Sequence, residues 1–253
     1  MTTILVTGGT GTLGRHVVTR LRADGHEVRV LSRHAAPYAV DLRAGDTGLD
    51  HALDGTDTVV HCATSARGGD EQAARNLIAA ARRAGVAHLV YMSIVGVDRV
   101  PYPYYRTKLA VERQFEDCGT GWTVLRATQF HDLLFRLFQG LSKSPVMPLP
   151  ARVKDQPVEV GEVAQRLAEL AQGAPAGRAD DMGGPEVRTM HSLARSYLDA
   201  VGRRRALVKV PLRGSAYEAF RAGGHLAPDR AVGTRTFEDY LAERTAVVRG
   251  ARR

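Results

Sequence analysis

Thr7-Gly8-Gly9-Thr10-Gly11-Thr12-Leu13-Gly14 decides how this 253-residue chain is read. It holds Gly9-x-Gly11-x-x-Gly14 and, in overlapping register, Thr7-Gly8-x-x-Gly11-x-x-Gly14. The turn follows a short apolar, β-branched run at 3–7 and opens an amphipathic stretch at 13–23. In that strand-turn-helix setting each glycine has its own task. One permits a positive φ, one lets backbone N–H groups approach a pyrophosphate, and one lets the helix pack close on the strand. The helix start adds unsatisfied donors and a partial positive charge. The segment predicts a dinucleotide-binding turn, with Gly8, Thr10, Gly11, Thr12, Leu13 and Gly14 around the phosphates.

Outward from the turn, strands are predicted at 3–7, 27–31, 39–41, 58–62, 88–92 and 123–126. Amphipathic helices at 13–23, 71–84 and 104–117 lie between several of them. Alternation of this kind predicts an α/β fold, a Rossmann-type doubly wound parallel sheet with helices on both faces. After Arg126 the rhythm changes. An apolar helix at 130–141 is followed by SPVMPLPARVKDQP, which reads as an irregular loop. Further helices are predicted at 163–171 and 189–201, the latter ended by Gly202, with a strand at 206–212 and a capping-box start at Thr236. The division expected is a dinucleotide-binding domain, 1–130, and a small C-terminal substrate lobe, 131–253, from which strands and helices can return to the sheet.

The end of the second strand reads the cofactor's ribose. Here it is Val30-Leu31-Ser32-Arg33, with no acid. A guanidinium matches a phosphate in a bidentate fork, so Arg33, with the Ser32 hydroxyl, favours NADP(H) over NAD(H). The other reading is a surface arginine in an Arg-rich chain. Asp46 follows the third strand, where a carboxylate can accept from an adenine amino group or simply belong to a turn. Cys62, Ala63 and Thr64 end the fourth strand, where small residues let backbone lie against a dinucleotide.

The candidate chemistry follows the fifth strand. Ser93 closes it, and Tyr104 and Lys108 stand four residues apart, one helical turn on the same face. An ammonium beside a phenol stabilises phenolate and lowers its pKa from about 10. The tyrosine can then exchange a proton with a carbonyl or alcohol oxygen, which Ser93 can orient, while Lys108 can also hold the nicotinamide ribose. The competing reading is an aromatic cluster at a helix start with Lys108 directed outward. Gln129 and His131, just past the sixth strand, are substrate candidates or structural residues. Phe130, Phe135, Phe138, Met147 and Leu149 are a candidate apolar wall or the packing of the lobe.

Together TGGTGTLG, VLSR, GD, HCAT, ARNLIAAARRAGV, HLVYMSIVGVD, YYRTK and WTVLRATQFH resemble the short-chain dehydrogenase/reductase superfamily, nearest its atypical, NmrA-like branch, over residues 3–131. The resemblance implies pyrophosphate contacts at Gly8, Gly11 and Gly14 and a Ser93–Tyr104–Lys108 catalytic set. It places Ala127, Thr128, Gln129 and Phe130 near the nicotinamide and substrate. It implies a reductase of a carbonyl, quinone or enone. Many atypical members lack the tyrosine and act as cofactor-binding regulators, which is the alternative for this chain.

Composition closes off other classes. Hydrophobic residues at 44% and charged residues at 25% belong to a globular protein rather than a disordered one. No run of 18 apolar residues occurs, so no spanning helix is predicted, and no signal peptide is recognised. Two cysteines and no HExxH-type spacing predict no metal site and a reduced, cytoplasmic location. The net charge of +8 resides wholly in residues 188–253, which carry 14 basic and 6 acidic residues. No nucleic-acid motif accompanies that charge, so the expected partner is a small-molecule substrate, with neither nucleic acid nor membrane, and the oligomeric state is left open.

Overall fold

The computed structural model describes residues 1–34, 36–45, 47–65 and 68–250. Two compact units emerge. One comprises Met1–Asp98, Tyr102–Arg126 and Val160–Asp180; the other comprises Arg99–Pro101, Ala127–Glu159 and the chain from Asp181 onward. The segment Val160–Asp180 thus returns from the C-terminal half to the first unit.

The first unit is built on β1 (Thr3–Thr7), α1 (Gly14–Ala23), β2 (Glu27–Ser32), β3 (Tyr38–Ala39), α2 (Thr47–Leu53), β4 (Thr58–His61), α3 (Asp70–Arg83), β5 (His88–Ile94), α4 (Pro103–Glu116) and β6 (Gly121–Ala127). The sheet order is β3-β2-β1-β4-β5-β6, extended by a further short strand at Gly177–Arg178 beside β6. Strand order reverses between β1 and β4, the switch point of a doubly wound sheet. In register across that point stand Leu31, Thr7, His61 and Tyr91. Strands β1, β4 and β5 are buried almost throughout, as strands covered on both faces must be. Helix α1 packs beside a returning helix, Val160–Gln172, while α2, α3 and α4 form the other layer. Leu77, Ala81, Phe115 and Val111 project from α3 and α4 onto Leu89, Tyr91 and Val124. The strand expected at 39–41 is shorter and one residue earlier, because Asp41 starts a turn in which Arg43 N–H donates to its carboxylate.

A buried ion pair ties α4 to β6. Arg126 donates to Glu112 through Nε (2.8 Å) and Nη2 (2.5 Å), and its Nη1 reaches Asp98 at 3.0 Å. Glu112 is 1% exposed, so removing its partner would strand a buried charge. Arg126→Met should destabilise the protein by about 3–5 kcal/mol, read as a fall in the urea midpoint, and adding Glu112→Met should recover most of that loss.

The second unit contains α5 (His131–Leu141), β7 (Val146–Pro150), β8 (Lys154–Asp155), and then, with the returning helix as α6 and strand as β9, β10 (Arg188–Thr189), α7 (Met190–Ala200), β11 (Ala206–Val210), α8 (Ser215–Arg221) and α9 (Phe237–Gly250). Its core gathers Leu134, Phe138, Met147, Leu149, Leu193, Tyr197 and Phe237. The segment expected as an irregular loop, SPVMPLPARVKDQP, contains two strands: β7 pairs in parallel with β11, and β8 pairs antiparallel with β10. The prolines are compatible with β7 because of where they fall. Pro145 C=O accepts from Ala206 N–H, and Ala151 N–H donates to Val210 C=O. Odd-numbered residues therefore direct their backbone groups at β11, and Pro148 and Pro150 occupy the positions that face away. Thr236 and Asp239 form the expected reciprocal cap of α9.

Candidate functional site

The glycine turn joins β1 to α1 where the strand order reverses. Gly8 has φ +65°, and a Cβ there would meet the Ala63 backbone at 2.8 Å. A Cβ on Gly14 would lie 2.3 Å from the Gly8 carbonyl oxygen. Only glycine lets the turn fold back on itself and touch the loop after β4. Gly11 N–H donates to Gly8 C=O at 2.9 Å, while Thr10 and Gly11 are exposed. Helix α1 has no side-chain cap and no acid in its first turn. The N–H groups of Arg15, His16 and Val17 bond back to the Gly11 and Leu13 carbonyls, while the positive end of the helix dipole faces no acid of its own first turn, a setting that favours an anion such as a pyrophosphate. Ser32 ends β2 and Arg33 is exposed beyond it; the nearby Asp41 is taken by Arg43 at 2.7 Å. Asp46 lies outside the described residues.

Contact between Gly8 and Ala63 links the turn to a second group of residues. Thr64 Oγ1 donates to Asp70 Oδ2 at 2.6 Å, and the Ser65 N–H donates to Asp70 Oδ1 at 2.8 Å. Asp70, the first residue of α3, thereby shapes the loop after β4. The Tyr104 hydroxyl lies 2.8 Å from Thr64 Oγ1. Because the single hydroxyl proton of Thr64 goes to Asp70, Tyr104 is the donor in that bond. A chain runs from the phenol through a hydroxyl to a buried carboxylate.

Beneath it, Lys108 is 5% exposed and donates from Nζ to the Met92 carbonyl at 3.2 Å. Its Nζ stands 4.9 Å from the Tyr91 ring centroid and 5.9 Å from that of Tyr104. Burial pulls Lys108 from its ordinary 10.5 to about 8, opposed by the charge of Asp70. Burial also pushes Tyr104 above its ordinary value, and the nearby charge of Asp70 adds to this. The sequence reading expects the ammonium to lower that phenol. The structure differs because burial of the phenol outweighs the pull of the neighbouring ammonium, so Tyr104 is raised rather than lowered and stays protonated at neutral pH.

Ser93 follows Tyr91 by two residues on the same face of β5, and its buried Oγ has no hydrogen-bond partner among the described residues. Behind it, Tyr91, His61 and Phe115 stack with centroids 4.8–5.7 Å apart, and Thr7 Oγ1 bonds His61 Nδ1 at 2.7 Å. Burial lowers His61 to about 3, so it is neutral, and raises the Cys62 thiol to about 12, so it is no nucleophile.

The residues after β6 lie in the second unit. Thr128 Oγ1 donates to the Gln156 carbonyl at 2.5 Å and accepts from Gly184 N–H, and Ala127 is buried. Gln129 C=O accepts from Val158 N–H. His131 is buried, bonded to the Arg235 carbonyl at 3.1 Å, and rings it with Phe237 and Tyr240 at 5.6 and 5.4 Å. Phe138, Met147 and Leu149 belong to the lobe's core, so the apolar wall is largely packing; Phe130 is half-buried. Within the first unit the structure brings together Gly8, Ala63, Thr64, Tyr104 and Lys108. Sequence reasoning missed Asp70, whose only signal is an acid opening a helix six residues after a strand-end threonine. It also missed the Glu112–Arg126 pair, although Glu112 continues the Tyr104–Lys108 stripe by one further turn.

Residues 8–172 match a family model described as NAD(P)H-binding. The (4-alkanoyl-5-oxo-2,5-dihydrofuran-3-yl)methyl phosphate reductase of Streptomyces griseus subsp. griseus is 32% identical over 219 residues, covering 79% of this chain and 74% of that protein. An uncharacterized protein of Mycobacterium tuberculosis is 33% identical over 178 residues, 65% of this chain, which spans only 19% of that relative. Among solved structures, the NADPH-complexed quinone oxidoreductase of Escherichia coli superposes with a TM-score of 0.80 at 20% identity, covering 97% of this chain and 99% of the other. The triphenylmethane reductase of Citrobacter sp. superposes at 0.75 and 19% identity, covering 96% and 99%. These structural likenesses establish the fold. With the family match extending from the glycine turn through α6, the chain belongs to the NAD(P)H-binding family.

Proposed function

We propose that the chain is an NADPH-dependent reductase of a small or mid-sized carbonyl, quinone or enone. The observation that carries this reading is the relay from half-buried Tyr104 through exposed Thr64 to buried Asp70, above Lys108 and joined through Ala63 to the glycine turn at one sheet edge. The names of the Streptomyces, Escherichia and Citrobacter proteins, all reductases or oxidoreductases, support it.

Gly8, Gly11 and Gly14, with Thr10, Thr12 and Leu13 in the turn, would hold the pyrophosphate. Ser32 and Arg33 would take the 2′-phosphate, with backbone at Cys62, Ala63 and Thr64 along the dinucleotide. Lys108 would donate to the nicotinamide ribose. When bound, the dihydronicotinamide supplies a hydride. Tyr104 is the acid: burial keeps it protonated, and its O–H turns from Thr64 to the substrate oxygen as negative charge develops there. Lys108, charged below about pH 8, then stabilises the phenolate. Ser93 Oγ, buried without a partner, is suited to orient the same oxygen. Asp70 fixes Thr64 and so the resting direction of the phenol. Ala127, Thr128, Gln129, Phe130 and His131 remain substrate-side candidates by position; the side chains of Thr128 and His131 are already engaged within their own unit.

Incubating the purified protein with NADPH and a panel of ketones, quinones and enones should reveal NADPH oxidation with at least one class; none across the panel would overturn the reading. Arg33→Ala should weaken NADPH binding roughly tenfold and leave NADH unaffected. An unchanged NADPH/NADH ratio would remove Arg33 from the assignment.

A further inference from the structure

Strands β7 and β11 pair Val146 with Ala206, Val208 with Pro148, and Val210 with Pro150. Alternation puts these six residues on one face, since Met147 and Leu149 point into the lobe's core. That outer face is wholly apolar. Val146 is 42% exposed and Val208 45%, and Leu212, just past β11, is 52% exposed. Pro148 and Ala206 are exposed too.

The flanks carry one sign of charge. Residues 142–154 contain Lys143, Arg152 and Lys154 and no acid; residues 200–217 contain Arg203, Arg204, Arg205 and Arg213, with Lys209 on the opposite face of β11, and no acid. Because the strands run parallel, Lys143 and Arg203–Arg205 gather at one end of the face, and Arg152, Lys154 and Arg213 at the other. Among the described residues none of these eight cations is ion-paired; Arg203 and Arg205 bond only to Ser142 and the Arg204 carbonyl. A face kept simply for solubility would not leave three large aliphatic side chains exposed between unpaired cations.

We propose that the outer face of the β7–β11 pair docks on an anionic lipid surface, with Val146, Val208 and Leu212 entering the headgroup–acyl boundary and the flanking cations meeting lipid phosphates. Apolar area plus cations is the combination that interfacial binding uses. The backbone suits it. Pro148 and Pro150 remove two N–H groups from the outer edge of β7, and Val146 N–H is bonded to Ser144 Oγ, so immersion strands no donor among them. The same prolines prevent another strand from pairing with that edge, and a second copy would bring like charges together. Nucleic acid fits less well, because neither strand offers an aromatic ring for stacking. The site joins strands 56 or more residues apart in sequence, which is why a search for a spanning helix passes over it; among the described residues no helix is long and apolar enough to cross a membrane.

The test is co-sedimentation of the full chain with vesicles of phosphatidylcholine alone or mixed with phosphatidylglycerol. Binding to the mixed vesicles and weakening by salt are expected. Each cation contributes roughly fivefold, so Arg203→Glu with Arg204→Glu should cut binding at least tenfold. Val208→Glu should do the same, with circular dichroism and NADPH binding unchanged. The proposal fails if mixed and neutral vesicles bind alike, or if neither sediments the protein. It also fails if Val208→Glu leaves binding intact, which would indicate a purely electrostatic attraction. Concentration-dependent self-association abolished by Val208→Glu, without vesicle binding, would assign the face to a second copy instead.

Discussion

Tyr104→Phe should lower the rate of substrate reduction by about 10²–10⁴-fold, the range contributed by a positioned general acid, while NADPH binds as before. The substitution deletes one oxygen from a half-buried ring and leaves the ring's packing in place. What it removes is the donor of the 2.8 Å bond to Thr64. Because burial holds the phenol above its ordinary value, the wild-type group is protonated throughout the neutral range, the form in which the proposed reduction would use it as an acid. The loss should therefore appear in kcat. A regulator that only senses cofactor would bind NADPH, turn nothing over and be indifferent to this change. Single-turnover kinetics beside equilibrium binding separates the two. Full activity in Tyr104→Phe would remove the phenol from the mechanism.

Lys108→Met should act oppositely on stability and activity. Burial brings Lys108 down to about 8, so at pH 7 the folded protein carries a charged group it poorly solvates. That cost is of order 3 kcal/mol, and an apolar isostere should recover about 1–3 kcal/mol of it. The sign follows from linkage. A lowered lysine penalises the fold fully below its folded value of about 8, and the penalty fades as pH rises from there toward the ordinary 10.5. The advantage of Met in thermal unfolding should thus be largest at pH 7 and shrink above pH 8. Turnover should fall at least a hundredfold, because no cation then remains near the phenolate. A variant no more stable at pH 7, or one that stays active, would contradict the role given to Lys108.

Much of the first unit is legible in sequence because its physics is local. Continuous apolar runs mark the buried strands, and glycines at fixed spacing mark a turn whose Cβ atoms would collide with backbone. The four-residue spacing of Tyr104 and Lys108 likewise places them on one helical face. What sequence does not display is the company those residues keep. Asp70 meets Thr64 only because α3 starts where the loop after β4 ends, and Glu112 meets Arg126 across a helix–strand contact. The direction of the Tyr104 shift follows from the burial of its phenol, which spacing does not encode. In the second unit prolines conceal β7, since the rule against proline in strands lapses where its nitrogen faces away from the partner. His131 reads as a ligand candidate by position but packs against Phe237 and Tyr240.

The proposed reduction requires the glycine turn to direct a nicotinamide toward Tyr104. A crystal structure with NADP⁺ tests this most directly. The pyrophosphate should lie at the N-terminus of α1 and the nicotinamide ring within van der Waals reach of the Tyr104 hydroxyl. A dinucleotide bound elsewhere, or a ring turned away from Tyr104 and Lys108, would contradict it.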